Sequence, residues 1–412
     1  MKRIKKTLFS EKPINIGENS GYDNYIMAIE SSCDETACSI VKNGREVLSN
    51  VVASQIKTHE KYGGVIPEIA AREHLEAINI VIEEAFEQAN IKPQDITAFA
   101  GTVGPGLVGS LLVGLNAAKT LSLIYDKPFI GVNHLNAHVC ANYIDTDLKP
   151  PFIALLISGG HTQIIEVKSH SEQYILGETI DDAVGEAYDK VARLIGLPYP
   201  GGPLLDKLAK DGNKFAYKLP ISKVGEYDFS FSGLKTAVLR LVQSLEKVNG
   251  KRETVNGEKA DLSTFQPFNL STSSPLAPLT PNPSPARGEG RSSETVYRSP
   301  FTVYPSPHLS PYTIDVCASF QETVSETLLI KVKSALKEKG YNQIVLAGGV
   351  AANSEIRRKF FELENQGYKV NAPAMKYCTD NAAMVASCAY FSTNTFDDVD
   401  VEVFSRVKYL TK

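Results

Sequence analysis

YIMAIESSCDETACSI, residues 25–40, reads as an apolar strand, a polar turn carrying Asp34 and Glu35, and a second apolar strand. FIALLISGGHTQIIEV, residues 152–167, repeats the unit with glycines in the turn. Two such hairpins in one chain predict an internally duplicated α/β fold. Outward from the first, REHLEAINIVIEEAFEQAN (72–90) carries apolar residues at helical spacing and predicts an amphipathic helix. ITAFAGTVGPGLVGSLLVGLNAAKTLSLIY (96–125) then gives a strand, a glycine-proline loop and a small-residue helix from about Val108, whose glycines permit close approach to a neighbour. A third glycine turn, in IVLAGGVAANSEIRRKF (344–360), again leads from an apolar strand into a helix.

Two segments break this pattern. Residues 1–24 are polar and turn-rich, which predicts a flexible extension before a first strand near Tyr25. Residues 249–312 hold ten of the chain's 22 prolines and predict a disordered insert between two helices of one domain, since helical periodicity resumes at IDVCASFQETVSETLLIKVKSALKEKG.

The 412 residues include 43 basic and 47 acidic side chains, a formal net charge of −4, with 43% hydrophobic residues. That composition predicts a soluble globular protein and excludes coating of polyanions as a default activity, while leaving room for one local basic patch. Cysteines 33, 38, 140, 317, 378 and 388 form no CxxC pair, which argues against a disulfide framework or a cysteine zinc site and for a reducing compartment. The basic N-terminus runs directly into polar residues, unlike a secretory signal, and no apolar run approaches the ~20 residues that cross a bilayer. The expected location is cytoplasmic, without membrane contact.

The strongest chemical signal is VNHLNAHV. On a helix, His134 and His138 stack on one face, where they either share one divalent metal or hydrogen-bond within a core. A metal needs a third ligand, and Asp380, in the polar turn KYCTDNAAM that opens a helix, is the best acidic candidate. A zinc-peptidase reading fails because Leu135 follows the first histidine where the general-base glutamate belongs. The turns Ser158-Gly159-Gly160-His161 and Gly348-Gly349 follow apolar strands; they are either plain tight turns or places where free backbone N–H groups meet a phosphate. Neither a P-loop nor a dinucleotide fingerprint is present.

In GETIDDAVGEAYDKVARLIGLPYPGGPLLDKL (177–208), Asp181, Asp182, Glu186 and Asp189 are too many acids for one apolar face, so most are read as solvated or as helix caps. Asp206, beside the Pro200-Gly201-Gly202-Pro203 turn, either bonds ribose hydroxyls or decorates a surface turn. YDFSFSGLKTAV (227–238) places Phe229 and Phe231 on one side of a strand, for core packing, ahead of Lys235. KTHEKYGGVIPEIAAREH (57–74) joins Lys57, Lys61, Tyr62 and Arg72 in a loop and helix start that either touch a nucleic-acid backbone or form a solvated face.

Taken in order, IESSCDETACSIV, GPGLVGSLLVG, VNHLNAH, LLISGGHTQ, GETIDDAVGEAYDK, YPGGP, DFSFSGLKT, AGGVAAN and CTDNAAM closely resemble the TsaD family, the tRNA adenosine threonylcarbamoyltransferases once labelled O-sialoglycoprotein endopeptidases. The resemblance covers the chain from Ile26 to Met384 except the insert. It implies a two-lobed, actin-like ATPase fold related to Hsp70 and sugar kinases, with one lobe at 25–131, a second at 132–395 interrupted by the insert at 249–312, and a tail at 396–412. It further implies that His134, His138 and Asp380 bind one divalent ion, Fe²⁺ with Zn or Mg as alternatives. Leu156, Ile157, Ser158, Gly159, Gly160, Asp189, Gly202, Asp206 and Asn353 would hold threonylcarbamoyl-AMP, in a cleft of the kind that takes ATP or ADP. Asn353 is selected by the resemblance alone, because an Asn after a strand-to-helix turn otherwise reads as a cap.

The implied reaction moves the threonylcarbamoyl group to N6 of the adenosine 3′ of the anticodon in tRNAs reading ANN codons, releasing AMP. An exocyclic purine amine is a poor nucleophile, so catalysis must come from positioning and from stabilising charge on the carbonyl and leaving phosphate. Asp34 or Glu35 is expected to assist amine deprotonation, with His161 orienting substrate. The target base must leave the anticodon-loop stack. Implied partners are TsaB and TsaE as complex subunits, with adenylate supplied by TsaC. The rival readings are a metallopeptidase and an ATP-binding kinase or chaperone of the same fold.

Overall fold

The structure, a computed structural model, describes residues 16–17, 20–253, 310, 312–392 and 401–405. Most of the expected extension (1–24), insert (249–312) and tail (396–412) lies outside the described residues. Gln243–His308 form a separate unit, of which only the end of one helix is described.

The first half runs β1 (Tyr25–Glu30), β2 (Glu35–Lys42), β3 (Glu46–Ser54), α1 (Ile56–Glu60), α2 (Pro67–Ala89), β4 (Ala98–Gly104), α3 (Val108–Tyr125) and β5 (Phe129–Asn133). Then come α4 (His134–Cys140), β6 (Phe152–Ile157), β7 (Thr162–Ser169), β8 (Glu172–Glu178), α5 (Val184–Leu194), α6 (Gly201–Ala209), α7 (Ser232–Glu253), α8 (Thr313–Lys339), β9 (Gln343–Ala347), α9 (Ser354–Phe361), β10 (Lys369–Asn371) and α10 (Ala382–Ser392).

The strands form two five-stranded sheets, β3-β2-β1-β4-β5 and β8-β7-β6-β9-β10. In each, the hairpin strands pair antiparallel and the last two join in parallel. The expected duplication is therefore literal: β1 corresponds to β6, and each later strand to its counterpart. The fold is the two-lobed, actin-like arrangement. The inner strands read as unbroken apolar runs because both faces are covered; all of FIALLI in β6 is buried.

Helix α2 begins earlier than its apolar period predicts, at Pro67, whose fixed φ suits the first helical turn. Its buried residues Ala70, His74, Ile78, Val81 and Ala85 follow the helical repeat and, with α3, cover one face of the first sheet. Among the described residues α3 is the one helix long and apolar enough to cross a membrane by length and composition, and about a third of it is buried.

Helix α10, at the end of the segment expected to form the second lobe, packs on β1, β2 and α4, and its buried Ala383, Val385, Ala386 and Ala389 share one core with strands of both sheets. AAMVASCAY is apolar all round and mostly small, so it needs cover on every side and finds it between the two sheets. The described piece of the tail is also tied down: Phe404 N donates to Val103 O at 2.9 Å, and Val401, Val403 and Phe404 pack on the first core.

Three smaller expectations are corrected. Glu35 opens β2 rather than sitting in the turn, because its register partner Ser54 extends the ladder that far. α7 continues through 249–253, which the insert was expected to include. Phe229 makes one isolated bridge to Thr179 and no strand; it and Phe231 are buried and stacked at 6.2 Å, so the packing role stands without the ladder.

Candidate metal centre and substrate cleft

The site begins at the β1–β2 turn, which α3 grips. Ser31 Oγ donates to Ser110 O at 2.8 Å and accepts from Gly114 N at 3.1 Å, while Leu107 N donates to Ser32 O at 2.8 Å. Glycine is required here: a Cβ on Gly106 would lie 2.6 Å from Ser32 O, and one on Gly114 would overlap Ser31 Oγ. This is the physical use of the GPGLVG loop and the small-residue helix.

Across from that turn, Asn133 caps α4 by accepting from Leu135 N and Asn136 N at 2.9 and 3.2 Å. His134 and His138 then fall one turn apart with ring centroids 4.6 Å apart. Asp380 arrives from the turn before α10, where Asn381 Oδ1 accepts from Met384 N and its amide donates to Thr379 O. Asp380 Oδ1 lies 3.1 Å from His138 Nε2 and 3.6 Å from His134 Nε2.

One ligand atom from each of the three residues lies within 4.8 Å of the others. Ligand bonds of about 2.1 Å at a tetrahedral angle separate donor atoms by about 3.4 Å, so the spacing fits a divalent ion. Two imidazoles and a carboxylate suit zinc or iron better than magnesium, which prefers oxygen ligands.

The metal-free electrostatics are those of a closely coupled group. Burial opposes charge on His134, but the Glu30 and Asp380 carboxylates outweigh it and push the imidazole up to about 9. Burial likewise opposes Asp380 ionisation, and the His134 charge and His138 hydrogen bond overcome it, drawing the carboxyl down to about 2. Glu35 goes the other way: burial, then Asp380 and Asp34, push it up to about 10. A cation beside Asp380 would pull it down again. Ser32 Oγ lies 3.2 Å from His134 Nδ1, which brings the β1–β2 turn, and with it Asp34, next to the histidine pair. The His161 imidazole is held below its usual value by burial and by the charges of His134 and His138.

The Ser158–His161 turn closes through Ser158 N donating to His161 O at 2.8 Å and His161 N to Ser158 Oγ at 3.1 Å. Gly159 and Gly160 are exposed, with open space where a Cβ would stand, whereas Leu156 and Ile157 are buried. α5 starts against the turn: a Cβ on Gly185 would lie 2.8 Å from Gly159 Cα. One turn along α5, Asp189 Oδ1 accepts from Gly201 N and Gly202 N at 2.9 and 3.2 Å and fixes the start of α6. Burial raises Asp189 against the pull of those N–H groups.

Asp206 of α6 accepts from Ser354 Oγ at 2.7 Å and from Gln321 Nε2 at 3.0 Å. Asn353 donates to Gln321 Oε1 at 2.9 Å and caps α9 through Glu355 N and Ile356 N. Asp206 and Asn353 thus meet in one network through Gln321 of α8. The cap reading of Asn353 holds: its carbonyl caps α9 while its amide donates to Gln321 Oε1 and, at 3.4 Å, to Tyr188 OH.

Other motifs resolve into supports. Asp181 caps α7 by accepting from Phe231 N at 2.8 Å, and Asp182 pairs with Lys190 and Lys235 at 2.6 and 2.9 Å. Arg193 of α5 donates to Gly63 O at 3.2 Å and holds the loop bearing Lys61 and the half-exposed Tyr62. Four residues of the cleft escaped sequence reasoning. Glu30 had one usable signal, an acid ending an apolar strand. Gln321 and Tyr188 sit unmarked on helices. Tyr199 is raised to about 12 by burial and then by the charges of Asp34 and Asp189.

Residues 46–387 match the family described as TsaD, tRNA N6-adenosine threonylcarbamoyltransferase. A protein of that name from Clostridioides difficile (strain 630) is 46% identical over 374 residues, covering 90% of this chain and 93% of its own. Another from Trichodesmium erythraeum is 45% identical, with 87% and 97% covered. Among solved structures, full-length HypF in its phosphate- and nucleotide-bound form aligns over 93% of this chain and 47% of its own, with a TM-score of 0.51 at 14% identity. That likeness bears on the fold alone.

Proposed function

The chain belongs to the tRNA N6-adenosine threonylcarbamoyltransferase family, and from that premise we propose that it moves the threonylcarbamoyl group of threonylcarbamoyl-AMP onto N6 of the adenosine 3′ of the anticodon, in tRNAs reading ANN codons, with release of AMP. The observation that carries the reading is the relatives' near end-to-end match at 46% identity. The convergence of His134, His138 and Asp380 beside the exposed glycine turn supports it.

In this reading the adenylate lies along the second lobe. Backbone N–H groups of Gly159 and Gly160 receive its anionic portion without side-chain bulk. Asp189, through the Gly201-Gly202 turn, and the Asp206–Gln321–Asn353 network hold the nucleoside. An ion held by His134, His138 and Asp380 would supply Lewis acidity toward a carbonyl or phosphate oxygen; iron is the ion we expect there. Asp34 or Glu35 receives the amine proton as N6 forms its bond to the carbamoyl carbon and the phosphate leaves. His161, kept neutral by its surroundings, orients the group.

The RNA would enter over the loop that Arg193 holds, where exposed Tyr62 offers a stacking face and Lys61 a charge. We propose subunits like TsaB and TsaE as partners and a TsaC-type source of adenylate. The exposed apolar residues Val108, Leu112, Leu123 and Ile124 of α3 offer surface to such a subunit. A cytoplasmic location fits six free cysteines.

The test is reconstitution: purified protein, threonylcarbamoyl-AMP, unmodified tRNA and the partner subunits, followed by nucleoside mass spectrometry. Threonylcarbamoyladenosine appearing only with this chain supports the reading. Its absence while a relative's protein makes it in the same mixture sinks it.

A further inference from the structure

Glu30 is 1% exposed, at the end of β1, and three donors converge on it. Ser32 N donates to Oε1 at 2.5 Å, Thr102 Oγ1 donates to Oε2 at 2.6 Å, and His134 Nδ1 stands 3.1 Å from the same Oε2. A buried carboxylate without such donors would give up its charge; here both of its oxygens are met by donors.

The consequence falls on His134. With a carboxylate at Nδ1, the neutral ring must carry its proton there, because the other tautomer would point a lone pair at a negative oxygen. Nε2 is then a bare lone pair, and it is Nε2 that faces Asp380 Oδ1. His138 lacks the device: its Nδ1 is buried with no hydrogen-bond partner among the described residues. The two imidazoles are therefore unequal, one oriented from behind and the other held by its helix and by Asp380.

We propose that Glu30 is the positioning residue of the metal centre, fixing the tautomer and ring plane of His134 and adding an outer negative charge that strengthens this imidazole as a ligand. The proposal rests on the metal reading given above. It also gives β1 a role apart from Asp34 and Glu35, which follow at the turn and at the start of β2: the strand's last residue serves the metal, and that acid pair serves the substrate.

The test uses the full-length protein, stripped by chelator and titrated with Zn²⁺ and, anaerobically, Fe²⁺. Glu30→Gln keeps the shape but presents an NH₂ to at least one of the donors that now point at a carboxylate. It should weaken metal binding by about 10- to 100-fold, while Thr102→Val, which removes one donor and leaves the carboxylate, should weaken it less. Nitrogen-15 spectra of histidine-labelled metal-free protein should show His134 protonated at Nδ1 above its titration range in the wild type, and a mixed population in Glu30→Gln. A merely structural Glu30 would lower the melting temperature without changing the tautomer. Wild-type metal affinity in Glu30→Gln, or an Nε2-protonated His134 in the wild type, overturns the proposal. If the wild type itself binds neither metal, the metal reading falls and takes this role with it, a result separate from equal binding by both proteins.

Discussion

His138 Nε2 stands 3.1 Å from Asp380 Oδ1, although one residue sits on the helix that follows the first sheet and the other precedes the last helix of the chain. They meet because α4 and α10 pack against each other between the two sheets. Asp380→Ala should therefore cost metal affinity beyond the ~10- to 100-fold expected for an outer-sphere partner, and it should abolish transfer while α10 keeps its packing. Metal content and single-turnover transfer measure the two effects; full metal occupancy in this variant would contradict the ligand assignment.

The pH dependence of the metal-free protein has a definite sign. His134 is raised from 6.5 to about 9, so its pairing stabilises the fold fully below about 6.5 and is lost as pH climbs through 9. Asp380 is lowered from 3.8 to about 2, so its contribution is present above 3.8 and lost as pH falls through 2. Urea unfolding of chelator-treated protein should find this pair's contribution largest between about pH 4 and 6.5, with His134→Gln flattening the alkaline limb. An alkaline limb of unchanged slope in that variant would refute the coupling.

Metal binding should move oppositely. The ion displaces the His134 proton, so affinity should rise by up to tenfold per pH unit toward about 9 and then level. Isothermal titration in buffers of differing ionisation enthalpy would count the released protons, and a count near zero at pH 7 would exclude a protonated His134.

Asn353→Ala removes both the cap of α9 and the link to Gln321. The cap alone is worth about 1 kcal/mol, which urea unfolding would register. Weaker adenylate binding should accompany it, whereas Asn353→Asp should restore the cap and not the affinity. Equal affinity in all three proteins would remove Asn353 from the substrate site.

Gly114→Ala sets a methyl group against Ser31 Oγ and should destabilise by roughly 1–3 kcal/mol. Because that contact seats the β1–β2 turn, metal affinity should fall as well. A loss of stability with metal binding intact would show that the turn adjusts independently of α3.

The double variant Asp34→Asn, Glu35→Gln should retain metal and lower single-turnover transfer by about 10²- to 10⁴-fold if one of the pair takes the amine proton. Unchanged transfer would take both out of the proton path. Glu35→Gln alone should do little to the metal-free fold, since Glu35 is held protonated at neutral pH there.

The hairpins at 25–40 and 152–167, their duplication, the α3 and α9 helices and the His134–His138 pairing are local matters: apolar period, glycine at turns and one helical turn between histidines are written in consecutive residues. The motifs of the family are equally consecutive. What the linear order did not disclose is which distant elements share a core. That α10 packs with strands of both sheets, that Gln321 joins Asp206 to Asn353, and that Glu30 stands behind His134 each depend on packing between segments far apart in the chain. Burial decides those meetings, because an apolar helix and an ionised carboxylate must each find surroundings that no neighbouring residue in sequence can supply.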